Sequence, residues 1–198
     1  MKEQANIMIV GVGGQGTLLA SRILGSVLLS QGFDVKLSEV HGMSQRGGSV
    51  VTYVKYSSGK VYSPLIDRGE ADVILSFELL EAARWIPYLK PGGRVICSTQ
   101  QIDPMPVITG AASYPENLTE KMRKKGVDLL ALDALSLALK AGSAKAVNVV
   151  LMGVLSSLLP IPEECWKKAV SELVPEKLRE LNLLAFDYGV KASGAVSA

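Results

Sequence analysis

The sequence predicts an α/β fold three layers deep (α/β/α), with a mixed and mainly parallel sheet, an antiparallel hairpin and a helical C-terminal part. Three observations carry it. Short apolar runs of buried-strand composition recur at Asn6 to Val10, Asp72 to Phe77, Arg94 to Thr99 and Val127 to Asp133. Segments with helical apolar spacing follow the first two of these runs, and beyond Ala134 the pattern becomes wholly helical.

Taken in order, "NIMIV" is a strand that ends in a glycine-rich turn, and "TLLASRILGSVLLSQG" repeats apolar residues at helical spacing until Gly32 stops it. "DVKLSEV" follows as a second strand, so residues 6–40 form one β-α-β unit, with a right-handed crossover and parallel strands. "SVVTYVKY" is rich in β-branched and aromatic residues, and "SSG" joins it to "KVYSPLI" as an antiparallel hairpin. The helix "ELLEAARWIPYL" separates the next two strands and ends at "KPGG". "KMRKKG" closes a further helix, where basic residues suit the negative end of the helix dipole or meet an anion or a partner.

Four helical stretches complete the chain: "ALSLALKAG", "AVNVVLMGVLSSLL", "PEECWKKAVSEL" and "PEKLRELNLLAFDYGVKA". Pro160 and Pro162 break the second from the third, and Pro162 and Pro175 stand where a first helical turn tolerates proline. The tail "SGAVSA" is expected to fray. No linker or internal repeat divides residues 1–198, which reads as one domain.

Composition narrows the function. Of 198 residues, 48% are hydrophobic and 20% charged, which suits a folded globular chain, and a net charge of +2 recruits neither nucleic acid nor an anionic membrane. Cys97 and Cys165 lack the close spacing that zinc or an iron–sulfur cluster requires, so no metal is expected on this chain. Apolar runs such as "VVLMGVLSSLLP" fall short of the ~20 residues that span a bilayer. With no secretory leader apparent, a cytoplasmic location is expected.

The first motif is "VGVGGQGTLLAS", in which Gly11, Gly13 and Gly16 hold the G-x-G-x-x-G spacing between a strand and a helix. Such a Rossmann-like start suits a nucleotide, because the glycines allow a tight turn and close approach of a phosphate to a helix N-terminus, while Glu39 ends the second strand, where an acid takes a ribose hydroxyl. The same glycines also serve any strand that turns sharply into a packed helix. A nucleotide-binding or NAD(P)-dependent protein, dehydrogenase or regulator, is therefore the alternative reading.

The second motif, "HGMSQRGGSV", is more specific. Together with "GVGGQGTLLASRILG", "SPLIDRGEADVILSFELLEAAR", "LKPGG", "AVNVVLMGVLSSLLPIPEE" and "VPEKLRELNLLAFDYG", it resembles the beta subunits of indolepyruvate ferredoxin oxidoreductases. More broadly the chain is similar to the gamma domain of the 2-oxoacid:ferredoxin oxidoreductases, over a core of about residues 5–190. The resemblance implies a subunit of an enzyme that oxidatively decarboxylates indolepyruvate and other arylpyruvates to aryl-acetyl-CoA and passes electrons to ferredoxin. It also implies thiamine diphosphate, magnesium and [4Fe–4S] clusters. No "GDG…N" segment for thiamine diphosphate is present, so these cofactors belong to a larger alpha subunit and the isolated chain is expected to be inactive. Hydride transfer to NAD has no place in such a reaction.

In this reading Gly11, Gly13, Gly14, Gln15 and Gly16, with Ser44, Gln45, Arg46, Gly47 and Gly48, form an anion-accepting rim at the C-terminal ends of the strands. Three roles remain open for it: closure over the thiamine site of the alpha subunit, a hold on coenzyme A phosphates or the substrate carboxylate, or a purely structural subunit contact. His41 is the weak catalytic candidate, oriented by Glu39 or lying beside a Glu39–Arg46 pair, and otherwise reads as a hydrogen-bonded residue of the strand-to-loop turn. Glu78 sits at another strand end, facing the site or serving its own helix, and Asn148 and Asn182 read as structural amides.

Overall fold

Residues 3–41 and 47–196 are described by a computed structural model, with the side chains of residues 195 and 196 left aside. Ser44, Gln45 and Arg46 lie outside the described residues. Strand β1 (Gln4–Val12), helix α1 (Thr17–Ser30), β2 (Asp34–His41) and β3 (Ser49–Ser57) come first. Then follow β4 (Ala71–Ser76), α2 (Leu79–Trp85), β5 (Leu89–Ser98), α3 (Met105–Ile108), α4 (Leu118–Lys124) and β6 (Asp128–Leu132). Helices α5 (Ala134–Ala141), α6 (Val147–Ser156), α7 (Glu163–Leu173) and α8 (Arg179–Val196) complete the chain. None of the described helices is long and apolar enough to cross a membrane.

The six strands lie in the order β2-β3-β1-β4-β5-β6. Pairs β1–β4, β4–β5 and β5–β6 are parallel, while β3 runs antiparallel to both β1 and β2. Alternation along each strand splits the apolar residues between two cores. Ile7 and Ile9 of β1, with Val73 and Leu75 of β4, face α1 and α5–α8, whereas Met8, Val10, Ile74 and Val95 face α2 and α4. The three-layer arrangement follows from these two buried faces.

Two strand expectations need correction. The antiparallel partners of β3 are β1 and β2, not residues 60–66, which form no strand. Pro64 offers no N–H to a ladder, and Tyr62 is exposed, so this segment is anchored instead by buried Val61 and Ile66 and by a hydrogen bond that Val61 N donates to the Asp34 carboxylate (2.7 Å). The β1-α1-β2 unit keeps parallel strands, but β3 is inserted between them. Five consecutive residues of β3 are buried, so it needs a neighbour on each side, whereas polar β2 is exposed enough to stand at the edge.

The helix before "KPGG" also ends sooner than expected. Pro87 follows in a single 3₁₀ turn, Ile86–Tyr88, and Lys90 to Gly93 already belong to β5, with Gly92 at φ +74°. The tail departs in the other direction, because α8 runs to Val196 and Ser193 is held between Val190 O and Ser157 Oγ, both at 2.6 Å.

Helices α6 and α8 touch backbone to backbone at Gly153 and Gly189: a Cβ on Gly189 would overlap Val150 O, and one on Gly153 would overlap Phe186 O. Neither obstacle is a side-chain tip that can swing away. Gly189→Ala is therefore expected to lower unfolding stability by about 2–3 kcal/mol, read from urea denaturation, whereas Gly194→Ala, where nothing lies within 4 Å, changes it little.

Candidate functional site

The first glycine loop leaves β1 at its C-terminal end and enters α1 through Gly16, the N-cap, which has a φ of +83° and no side chain to cap the helix. The dihedral favours glycine at Gly16, and a Cβ there would lie 2.5 Å from Asn148 Nδ2, while one on Gly11 would lie 2.8 Å from Gln15 Oε1, so either would displace a hydrogen-bonded side-chain amide. The N-terminal turn of α1 carries no acidic residue, so its N–H groups and dipole face the loop uncompensated.

Gln15 turns its side chain inward. Its Oε1 accepts from Val12 N (2.8 Å), and its Nε2 donates to Phe77 O (2.9 Å) and to Gln100 Oε1 (3.4 Å). One amide thus ties the end of β1 to the residues just past β4 and β5, so Gln15 braces the rim while its backbone takes part in it.

The two glycine loops are bonded to each other. Gly13 N donates to Gly48 O at 2.8 Å, immediately beyond the Val12–Ser49 pair that ends the β1–β3 ladder. Ser49 in turn donates to buried Glu81 Oε2 at 2.5 Å, and Arg84 Nε (3.0 Å) and Trp85 Nε1 (3.2 Å) complete the donors to that carboxylate. Gly11, Gly13, Gly14, Gln15, Gly16, Gly47 and Gly48 accordingly share one edge of the sheet.

His41 ends β2, paired in register with Val50 and exposed. Glu39 is also exposed and accepts from Thr52 Oγ1 across the β2–β3 pair at 3.2 Å. With β3 between them, β2 stands two strand spacings, about 10 Å, from β1. That displacement takes Glu39 away from the position in which a dinucleotide fold presents its ribose-binding acid beside the first strand.

On the other side of the loop lies a cleft of about 530 Å³, lined by Gly14, Gln15, Gly16 and Leu19, and by Gln100, Lys145 and Asn148. Asn148 Nδ2 donates to Gly16 O at 3.3 Å and its Oδ1 accepts from Val149 N at 2.8 Å, which is the structural part expected of it. Asn182 Nδ2 likewise donates to Leu178 O (2.8 Å), the last residue of the 3₁₀ turn that leads into α8. Lys145 and Gln100 were not singled out from the sequence. They reach the loop from the turn before α6 and from the end of β5, and no local pattern marks such convergence.

Glu78 is buried and serves its own helix. One of its oxygens accepts from Glu81 N (2.8 Å), the N-cap bond of α2, and the other accepts from Ile102 N (3.1 Å) and Tyr114 Oη (2.5 Å). Burial first, and then the bond to Glu78, push the Tyr114 phenol well up from its usual range, so it stays a protonated donor. Burial likewise pushes the Cys97 thiol up, helped by the nearby Glu78 charge. Among the described residues no group of three or more His, Cys, Asp or Glu side chains is placed to hold a metal ion.

The chain matches the family model for pyruvate ferredoxin/flavodoxin oxidoreductase over residues 6–192. It is 46% identical to indolepyruvate oxidoreductase subunit IorB of Thermococcus kodakarensis, covering 98% of this chain and 97% of that protein. Its fold is that of the gamma subunit of a keto/oxoacid ferredoxin oxidoreductase from Geobacter sulfurreducens, with a TM-score of 0.72, 24% identity, and coverage of 96% and 99% of the two chains. It also superimposes, with a TM-score of 0.76 and 23% identity, on part of the 2-oxoglutarate:ferredoxin oxidoreductase of Magnetococcus marinus, covering 98% of this chain and 32% of that one.

Gln15→Ala strands the Val12 N–H and the Phe77 carbonyl, so a loss of about 2 kcal/mol in unfolding free energy is expected, measurable by denaturant titration. Thiol chemistry tests the burial at Cys97: at about pH 8, iodoacetamide is expected to label Cys165 in the folded chain and Cys97 only after unfolding.

Proposed function

The chain belongs to the pyruvate ferredoxin/flavodoxin oxidoreductase family, and from that premise we propose that it is the smaller subunit of an indolepyruvate-type 2-oxoacid:ferredoxin oxidoreductase. The reaction is oxidative decarboxylation of arylpyruvates to aryl-acetyl-CoA, with the electrons passed to ferredoxin. A larger alpha subunit holds thiamine diphosphate with magnesium and the [4Fe–4S] clusters. Thiamine diphosphate supplies carbanion stabilisation and the clusters supply electron transport. This chain's own residues do not suit a cluster, because Cys97 is buried in the sheet core and Cys165 stands on α7, apart from it.

The work left to this subunit is to shape the edge of the site. The observation that supports the reading is the bond from Gly13 N to Gly48 O, which joins the first glycine loop to the described end of the second at the edge where β1 ends. Closing that edge against the alpha subunit excludes water and fixes the oxo acid. The neighbouring cleft, with the α1 N-terminus on one wall and Lys145 on the other, accommodates an anionic group of coenzyme A. The displaced Glu39 weighs against the nucleotide-binding alternative.

Co-expression with the alpha subunit tests the assignment. Ferredoxin reduction by indolepyruvate or phenylpyruvate is expected to need both chains, and NAD is expected to give no heat in calorimetry with this chain alone. Oxidation of a keto acid by the isolated chain, or failure to co-purify with a thiamine-carrying partner, would overturn the reading. Lys145→Ala is expected to raise KM for coenzyme A about fivefold, leaving KM for the oxo acid unchanged.

A further inference from the structure

Helix α2 buries two carboxylates, and only one of them is used up in building the helix. Glu78 caps α2 and holds the segment after β5 through Ile102 N and Tyr114 Oη. Glu81, 5% exposed, looks the other way, towards the start of β3. A charge taken out of water is retained where several donors meet it. At Glu81 the donors are the hydroxyl of Ser49, the guanidinium of Arg84 and the indole N–H of Trp85. The last two come from its own helix, one turn on, and the first comes from the residue at which the second glycine loop rejoins the sheet.

From this geometry we infer that Glu81 is a positioning residue for the enzyme: through Ser49 it sets where Gly47 and Gly48 leave the sheet, and through the Gly48 carbonyl it sets the shape of the first loop. The bonds form an unbroken series from Glu81 Oε2 to Ser49 Oγ (2.5 Å), along the chain to Gly48 O, and on to Gly13 N (2.8 Å). Gln15, two residues further, carries the series to Phe77 O and to Gln100 Oε1, and Gln15 and Gln100 both line the cleft. No other hydrogen bond from the Ser49 side chain competes with the one to Glu81 among the described residues. The catalytic consequence rests on the function proposed above; the mechanical part does not.

The test uses Ser49→Ala, which deletes one hydroxyl from a strand end and leaves both cores intact, with Ser49→Thr as the variant that keeps the hydroxyl and Glu81→Gln as the variant that keeps an acceptor but loses the charge. In the full chain alone, amide hydrogen exchange at Gly13 is expected to quicken about tenfold in Ser49→Ala and to return close to the wild-type rate in Ser49→Thr. In the reconstituted two-subunit enzyme, Ser49→Ala is expected to lower kcat/KM about tenfold with the same yield of complex, Glu81→Gln less so. Unchanged Gly13 exchange in Ser49→Ala overturns the inference whatever the enzyme does. Wild-type kinetics in Ser49→Ala despite faster exchange overturns its catalytic part. An inactive wild-type pair instead counts against the proposed function, and the exchange result still decides the positioning role.

Discussion

The antiparallel ladder between β1 and β3 is the constraint on which the rest of the molecule depends. It runs without interruption from the Gln4–Ser57 pair to the Val12–Ser49 pair, and an in-register ladder that long leaves no freedom at its end. The residues just past it must therefore meet, and they do so as Gly13 N and Gly48 O. Gly13 and Gly48, far apart in sequence, are joined because they stand just past the end of one strand pair. The same insertion of β3 moves β2 to the sheet edge, where its polar residues can stay hydrated.

Around that joint, three polar side chains each gather several partners. Gln15 spans the ends of β1, β4 and β5 with a single amide. Glu78 and Glu81, one turn apart on α2, each gather three donors and face different loops. Leaving one such group unsatisfied costs about 1–3 kcal/mol, so the arrangement is held by the penalty for breaking it as much as by the bonds themselves. A site edge that must keep its form while a partner docks benefits from this kind of bracing.

Much of this was legible from one dimension. The strands "NIMIV", "DVILSF", "RVICST" and "VDLLALD" announced themselves because strands covered on both faces read as continuous apolar runs. The pairing of β3 did not, because a β-branched run states that it is a buried strand without naming its neighbours, and "SSG" supplied a plausible but wrong hairpin. Glycines at Gly11 and Gly16 were visible as a turn, while the distant side chains that a Cβ would meet there, Phe77 at Gly11 and Asn148 at Gly16, come from across the fold.

The sequence by itself determined the layer order, the two glycine loops at the strand ends, the capping carboxylate at Glu78 and the family the chain resembles, because these follow from local periodicity, turn chemistry and motif. Only the tertiary structure decided that Gly13 bonds Gly48, that Gln15 points inward, that Lys145 and Gln100 join the cleft and that Glu39 stands a strand too far away for a ribose. These are long-range pairings, and their energies appear only once the ladder has brought distant segments within hydrogen-bonding distance.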